Sequence, residues 1–103
     1  MPPDVRGEAV RRALLTLEAY RAAYGWEPVL LEVRVYPALR AGLPCGIGAS
    51  GCAWAGGPVL VGGDMSALAH EIHHFHRWSL GDPDWKNHVG SHWEPIYAWQ
   101  NPW

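Results

Sequence analysis

The sequence has no apolar run near the roughly 20 residues that a membrane-spanning helix needs, and its basic residues form no cluster. Its 8 Lys and Arg stand against 10 Asp and Glu, so the net charge is −2 with the histidines neutral. These features favour neither a nucleic acid nor a membrane as a partner. The start of the chain, Met1 to Asp4, lacks the basic region and apolar stretch of a signal peptide, so we expect a cytoplasmic protein.

Cysteine is also scarce, because the chain contains only Cys45 and Cys52. A cytoplasmic setting favours two free thiols. A disulfide across a glycine-rich hairpin is the alternative that the spacing leaves open.

Tryptophan is abundant by contrast, with 7 residues in a chain of 103. Four of them, Trp85, Trp93, Trp99 and Trp103, fall in the last fifth of the sequence. Such a segment favours packing that closes a small hydrophobic core. An aromatic surface that binds a substrate is the alternative.

The length suits a single domain that covers residues 1–103. A first helix is predicted over 5–24, with Val10, Leu14, Leu17 and Tyr24 as its apolar stripe. A strand is predicted over 29–36, because Pro28 precedes an alternating apolar run and Pro37 ends it.

The second half of the sequence predicts a hairpin followed by two helices. Gly56 and Gly57 separate two short apolar runs, as in a tight hairpin turn. Asp64 is a suitable N-cap for a helix over 65–80, and Gly81 suits the residue after its end. A short helix is expected to run from Ser91 to about residue 99. The predicted class is therefore α+β, with the N-terminal helix packed on a small mixed sheet.

The segment from His70 to His74 reads His-Glu-Ile-His-His and carries the pattern H-E-x-x-H. Residues four apart on a helix lie one turn apart on the same face. His70 and His74 can therefore bind one zinc ion, with Glu71 placed to act as general base on a zinc-bound water. Zinc is the cofactor that this motif predicts.

A catalytic zinc usually has three protein ligands, so a third is needed. Glu94, His88 and His92 are all within reach of a chain that turns back after Gly81. The residues alone leave these three alternatives open.

The spacing of Glu94 gives the sequence a resemblance to the gluzincins, the thermolysin-like metallopeptidases. Nineteen residues separate His74 from Glu94, as in the gluzincin pattern, and the hairpin around Trp54 resembles the family's substrate-binding edge strand. Size and element order resemble the minigluzincins, which are stand-alone catalytic domains. The resemblance covers about residues 51 to 97. It implies that His70, His74 and Glu94 bind zinc and that Glu71 is the general base.

A second resemblance is to the SprT-like zincins, in which the third ligand is a histidine at about fourteen to seventeen residues after the motif. His88 follows His74 after thirteen residues, and His92 follows it after seventeen, with Trp93 next to it. This reading keeps His88, or else His92, as the third ligand.

Further roles follow from the chemistry of peptide hydrolysis. The oxyanion that forms at the scissile carbonyl needs a hydrogen-bond donor, and Tyr97 can supply one. Asp82 and Asp84 can accept the second N–H of a metal-bound histidine, although either can instead cap a turn.

The function expected from the sequence is a zinc metallopeptidase. Its substrate, a peptide or protein, would dock on the edge strand near Trp54 by main-chain hydrogen bonds. The alternatives are a latent or non-catalytic zincin-like binding protein, with zinc in a site blocked by the tryptophan-rich tail, and an interaction module without zinc.

Overall fold

The computed structural model of the protein describes residues 3–36, 45 and 49–103. Three helices and a three-stranded sheet form the chain in the predicted order, and the α+β class is confirmed. The elements are α1 (Pro3–Tyr24), β1 (Val33–Tyr36), β2 (Gly51–Ala53), β3 (Val59–Gly62), α2 (Leu68–Ser79), a 3₁₀ turn (Ser91–Trp93) and α3 (Glu94–Tyr97).

The sheet is mixed, with β3 between β1 and β2. β1 runs parallel to β3, and β2 runs antiparallel to it, so the predicted hairpin is confirmed. Gly56 and Gly57 have φ of 76° and 83° at the turn, a region that glycine enters at little cost. In the sheet order β2 is an outer strand.

The first strand is shorter than the sequence predicts. It starts at Val33, which pairs with Val59, while Val29 and Leu30 are exposed. The residue before Val59 is Pro58, which has no N–H to donate to a neighbouring strand. The apolar run of the sequence therefore begins at residue 29, whereas strand β1 begins only at Val33.

Helix α2 lies against the sheet and contributes more residues to the buried core than any other described element. Its Leu68, Ile72 and Phe75 pack in one buried cluster with Val59 and Val61 of β3. The helix begins three residues later than predicted, because Asp64 accepts a hydrogen bond from the Ser66 N–H in the turn before it. Gly81 follows its end with φ of 77°, as predicted.

Helix α1 packs across α2 with only part of the predicted apolar stripe, since Leu17 and Tyr24 pack against the core as predicted. Val10 and Leu14 are 54% and 62% exposed, whereas Thr16 and Tyr20 are fully buried. The Tyr20 hydroxyl bonds to histidines of α2, and these hydrogen bonds fix which side of α1 turns inward. In the described part of the chain, no helix has the length and apolar character needed to cross a bilayer.

Cys45 and Cys52 form a disulfide, with their Cα atoms 6.2 Å apart. The expectation of free thiols was wrong, and the alternative across the glycine-rich segment holds. Cys52 is the central residue of β2, so the bond fixes residue 45 beside the outer strand of the sheet.

Candidate metal centre

Three histidine side chains converge beside α2. The Nε2 atoms of His70 and His74 are 3.2 Å apart, and the Nε2 atom of His88 lies 3.0 Å from the first and 3.2 Å from the second. Three nitrogens bound to one tetrahedral zinc, each at about 2.0–2.1 Å, lie about 3.3–3.4 Å from one another. The group formed by His70, His74 and His88 is therefore within metal-binding distance and could hold a metal ion.

Hydrogen bonds alone do not explain this arrangement. The Nδ1 atom of His74 lies 2.7 Å from the Trp85 carbonyl oxygen, which can only accept, so the neutral ring carries its proton there. Its Nε2 atom then presents a lone pair. With at most one proton each on the Nε2 atoms of His70 and His88, three favourable contacts cannot form at once. A cation at the centre makes all three nitrogens ligands.

Burial keeps the helix histidines in the form that binds metal. It lowers the pKa of His70 to about 4, and the neighbouring His74 and His88 add to this effect. Burial also lowers the pKa of His74, although its hydrogen bond to the Trp85 carbonyl opposes the change. Because a ligating imidazole must be neutral, these two rings are ready to bind at neutral pH.

The residues that the sequence proposed as third ligand lie in three different places. His88 joins the helix histidines, whereas Glu94 is exposed at the start of α3 and takes no part in the group. The Nδ1 atom of His92 lies 2.8 Å from Nε2 of His73, on another face of α2. The spacing along the sequence did not predict that the segment after Gly81 would bring His88, and not Glu94 or His92, to the two helix histidines.

The groups that surround the histidines also differ from the expected ones. The oxygen that orients His74 is the Trp85 backbone carbonyl, and no side-chain pattern in the sequence marks it. Asp82 instead pairs with Arg77, at 2.9 Å, and accepts the Asp84 N–H. Asp84 bonds to Asn87. Both aspartates thus stabilise the turn after α2, which is the alternative that the sequence allowed.

Glu71 is buried on α2, with 5% of its surface exposed, and burial raises its pKa to about 8. A nearby cation would favour the ionised form and oppose this shift. Gly51 of β2 makes room for the side chain, because a Cβ atom at Gly51 would lie 2.9 Å from Cγ of Glu71. No pattern in the sequence predicts this contact between the strand and the helix.

Two cavities flank the histidine group, and together we call them the cleft. Gly51, His70 and Glu71 line both. The larger cavity, about 550 Å³, is further lined by Ser50, Ser66, Ala67, Ala69, Ile96, Tyr97, Trp99 and Asn101. The smaller, about 250 Å³, is further lined by Cys52, Ala53, His74, Trp85, Lys86 and His88. The cleft therefore follows β2 and passes the histidines at Gly51.

Tyr97 and Trp54, both predicted to contact a substrate, lie in different surroundings. Tyr97 is 64% exposed and lines the larger cavity together with His70 and Glu71. Trp54 follows the end of β2 and lines a separate cavity with Arg34 and Tyr36. The strand that borders the histidines is thus Gly51–Ala53.

The tryptophans near the C-terminus serve mainly in packing. Trp93 lies in the core with 1% of its surface exposed, and Trp99 and Trp103 pack against the core cluster. The ring of Trp103 lies 5.2 Å from the Arg12 guanidinium of α1, so this end of the tail contacts the first helix. Trp85 borders the smaller cavity.

Gly51→Ala is expected to destabilise the protein, because the added methyl group would press on both β3 and Glu71. The added Cβ would lie 2.8 Å from the Leu60 carbonyl oxygen as well as 2.9 Å from the Glu71 side chain. Overpacking of this kind costs about 1–3 kcal/mol. Thermal or urea unfolding measures that loss. Gly7→Ala is the control, because nothing lies within 4 Å of its Cβ position and the change should stabilise α1 by about 0.5–1 kcal/mol. Equal stability of the two variants would contradict the close packing at Gly51.

Comparison of the chain with protein-family models, with curated proteins and with solved structures finds no match in any of the three.

Proposed function

We propose that the protein is a zinc-dependent peptidase that hydrolyses peptide bonds in the cleft. One observation carries the proposal: three imidazole nitrogens meet next to a buried carboxylate, Glu71, in a cleft that follows an outer strand. The H-E-x-x-H pattern of the sequence supports the same combination of metal ligands and base.

Zinc is the metal that suits these ligands best among the common ones. Imidazole nitrogen is a preferred zinc ligand, and three histidines with an open fourth position are one of the ligand sets of catalytic zinc. His88 is exposed, so the group borders solvent on that side. When bound, zinc would supply a Lewis acid that polarises the scissile carbonyl.

The ligand set bears on the two family resemblances. His88 in place of Glu94 departs from the gluzincin pattern, which ends in a glutamate. A third histidine is the arrangement that the SprT-like alternative implies. We propose His70, His74 and His88 as the three ligands.

Glu71 is the residue that would move the proton. In its ionised form it accepts a proton from the attacking water and then donates it to the leaving amine. Its burial removes competing solvent, and its contact with Gly51 fixes its position against β2. Tyr97 lines the larger cavity of the cleft, and we propose that its hydroxyl donates a hydrogen bond to the developing oxyanion.

The shape of the cleft favours an extended peptide as substrate. β2 has no strand partner on its outer side among the described residues, so its main chain offers hydrogen-bonding groups to an added strand. A peptide laid along Gly51–Ala53 passes both cavities and has its carbonyl near the histidines. We therefore propose that the substrate docks on β2 itself, which ends at Ala53, the residue before Trp54.

The test of the proposal begins with elemental analysis of the purified protein and with hydrolysis of a mixed peptide library, read by mass spectrometry. We expect one zinc per chain, cleavage by the zinc-loaded protein, loss of cleavage with a chelator and recovery on addition of zinc. Zinc binding without any cleavage would refute the peptidase and favour a binding protein. Absence of zinc after reconstitution would refute the metal site as well.

A further inference from the structure

The three histidines that lie outside the metal group form a second cluster with Tyr20 of α1. The Tyr20 hydroxyl lies 2.6 Å from Nδ1 of His73 and 2.7 Å from Nδ1 of His76. The Nε2 atom of His73 lies 2.8 Å from Nδ1 of His92. Tyr20 and His73 are fully buried, and His76 is 7% exposed. We call these four residues the tyrosine–histidine chain.

The tyrosine–histidine chain can form all three of its hydrogen bonds with every imidazole ring neutral. Each imidazole has one N–H, and the hydroxyl has one O–H, so each of the three contacts can hold one proton if all bonds run in the same direction. The Tyr20 hydroxyl joins the two histidines of α2, and His73 continues the connection to His92.

The tyrosine–histidine chain ends at His92, the residue before Trp93. The buried ring of Trp93 packs against all three histidines of the metal group. Its ring centroid lies 4.9 Å from that of His70, 4.8 Å from that of His74 and 4.9 Å from that of His88. The ring also lies 4.5 Å from His73, edge to face. A shift of Trp93 would therefore move all three metal-binding rings.

Helix α1 fixes the position of the segment with His92 and Trp93 by two contacts. The first runs from Tyr20 through His73 to His92. The second is a hydrogen bond that the Tyr24 hydroxyl donates to the His92 carbonyl, at 2.8 Å. Gly90 lets the His92 ring approach, since a Cβ there would lie 2.8 Å from the ring nitrogen Nε2.

We infer that Tyr20 is a positioning residue for the metal centre, acting through His73 and His92 on Trp93. The inference rests on the metal group of the proposed function, and it does not need hydrolysis. Groups that hydrogen-bond directly to a metal ligand typically change metal affinity 10-fold to 100-fold when they are removed, and Tyr20, which acts through intermediate residues, should have a smaller effect of up to about 10-fold.

Tyr20→Phe tests the inference, because it removes the hydroxyl and keeps the ring. We expect the dissociation constant for zinc to rise about 3-fold to 10-fold, less than for a direct partner of a ligand, and the visible absorption spectrum of the cobalt-substituted protein to change. Tyr36→Phe is the control, since Tyr36 lies on β1 and lines the separate cavity near Trp54. It should leave both measurements unchanged. A variant with lower melting temperature but unaltered zinc affinity and cobalt spectrum would show a purely structural role and overturn the inference.

His92 provides a second pair of variants if Tyr20→Phe folds poorly. His92→Ala removes the end of the chain, whereas His92→Asn keeps a polar group near the position of Nδ1. We expect zinc to bind weakly to the first and to regain affinity in the second. Equal affinities in the two variants would overturn the inference. Peptide cleavage is not read in either experiment, so an inactive protein that binds zinc still decides the question.

Discussion

Glu71→Gln is expected to retain zinc and to lower the rate of peptide hydrolysis by about 100-fold to 10,000-fold, the usual contribution of a positioned general base. Gln has nearly the shape of Glu and fits the space beside Gly51, but it cannot accept the proton of the attacking water. Because the carboxylate is buried and its pKa is raised to about 8, a neutral amide there should not destabilise the metal-free protein. The zinc content, the cleavage rate and the melting temperature are measured on the same preparation.

The control for this variant is Glu27→Gln, which makes the same chemical change on an exposed side chain. Its cleavage rate should equal that of the wild type. Unchanged hydrolysis in Glu71→Gln would remove Glu71 from the mechanism. Loss of zinc in that variant would instead make Glu71 part of the metal site.

The second large effect is expected at His88. We expect His88→Ala to weaken zinc binding by more than about 100-fold, because even a residue that only supports a ligand commonly changes affinity 10-fold to 100-fold. The ring supplies one of the three Nε2 atoms, 3.0 Å from that of His70. Since His88 is exposed, its removal should change the stability of the metal-free protein little. Competition with a chromogenic chelator measures the affinity.

Glu94→Ala separates the ligand set that contains Glu94 from those in which the third ligand is a histidine. Glu94 is exposed and outside the histidine group, so the variant should bind zinc as the wild type does. The opposite result, with zinc lost in Glu94→Ala and kept in His88→Ala, would restore the gluzincin-type ligand set. It would also require a rearrangement of α3.

The helix that carries His70, Glu71 and His74 could be predicted because its signals are local. Two histidines four residues apart share a face of any α-helix, and Gly81 marks the end of this one. The hairpin was predictable for the same reason, since the turn glycines and the apolar runs are adjacent in sequence.

Which candidate joins the two helix histidines, and which side of α1 is buried, could not be predicted in this way. The position of His88 depends on the turn after α2, where the Arg77–Asp82 pair helps to direct the chain. The buried side of α1 depends on Tyr20 meeting His73, a residue 53 positions away. Both are tertiary contacts, and tertiary contacts override helical periodicity.

The C-terminal helix shows a smaller difference of the same origin. The sequence predicts one helix from Ser91, with Ser91 and Glu94 as a capping box. The structure has a 3₁₀ turn followed by the short α3, without a hydrogen bond from a capping side chain. Packing of Trp93 and Ile96 into the core sets this geometry in place of the cap.

The disulfide of β2 makes any count of bound metal depend on how a sample is prepared. Cys45 and Cys52 are the only cysteines of the chain, so the oxidised protein has no thiol. A reducing agent would release two thiols, and thiolates bind zinc strongly. Zinc held by that pair would raise the apparent stoichiometry without any change at the histidines. Zinc found in a preparation free of reductant therefore cannot be held by the cysteines and tests the proposed histidine site directly.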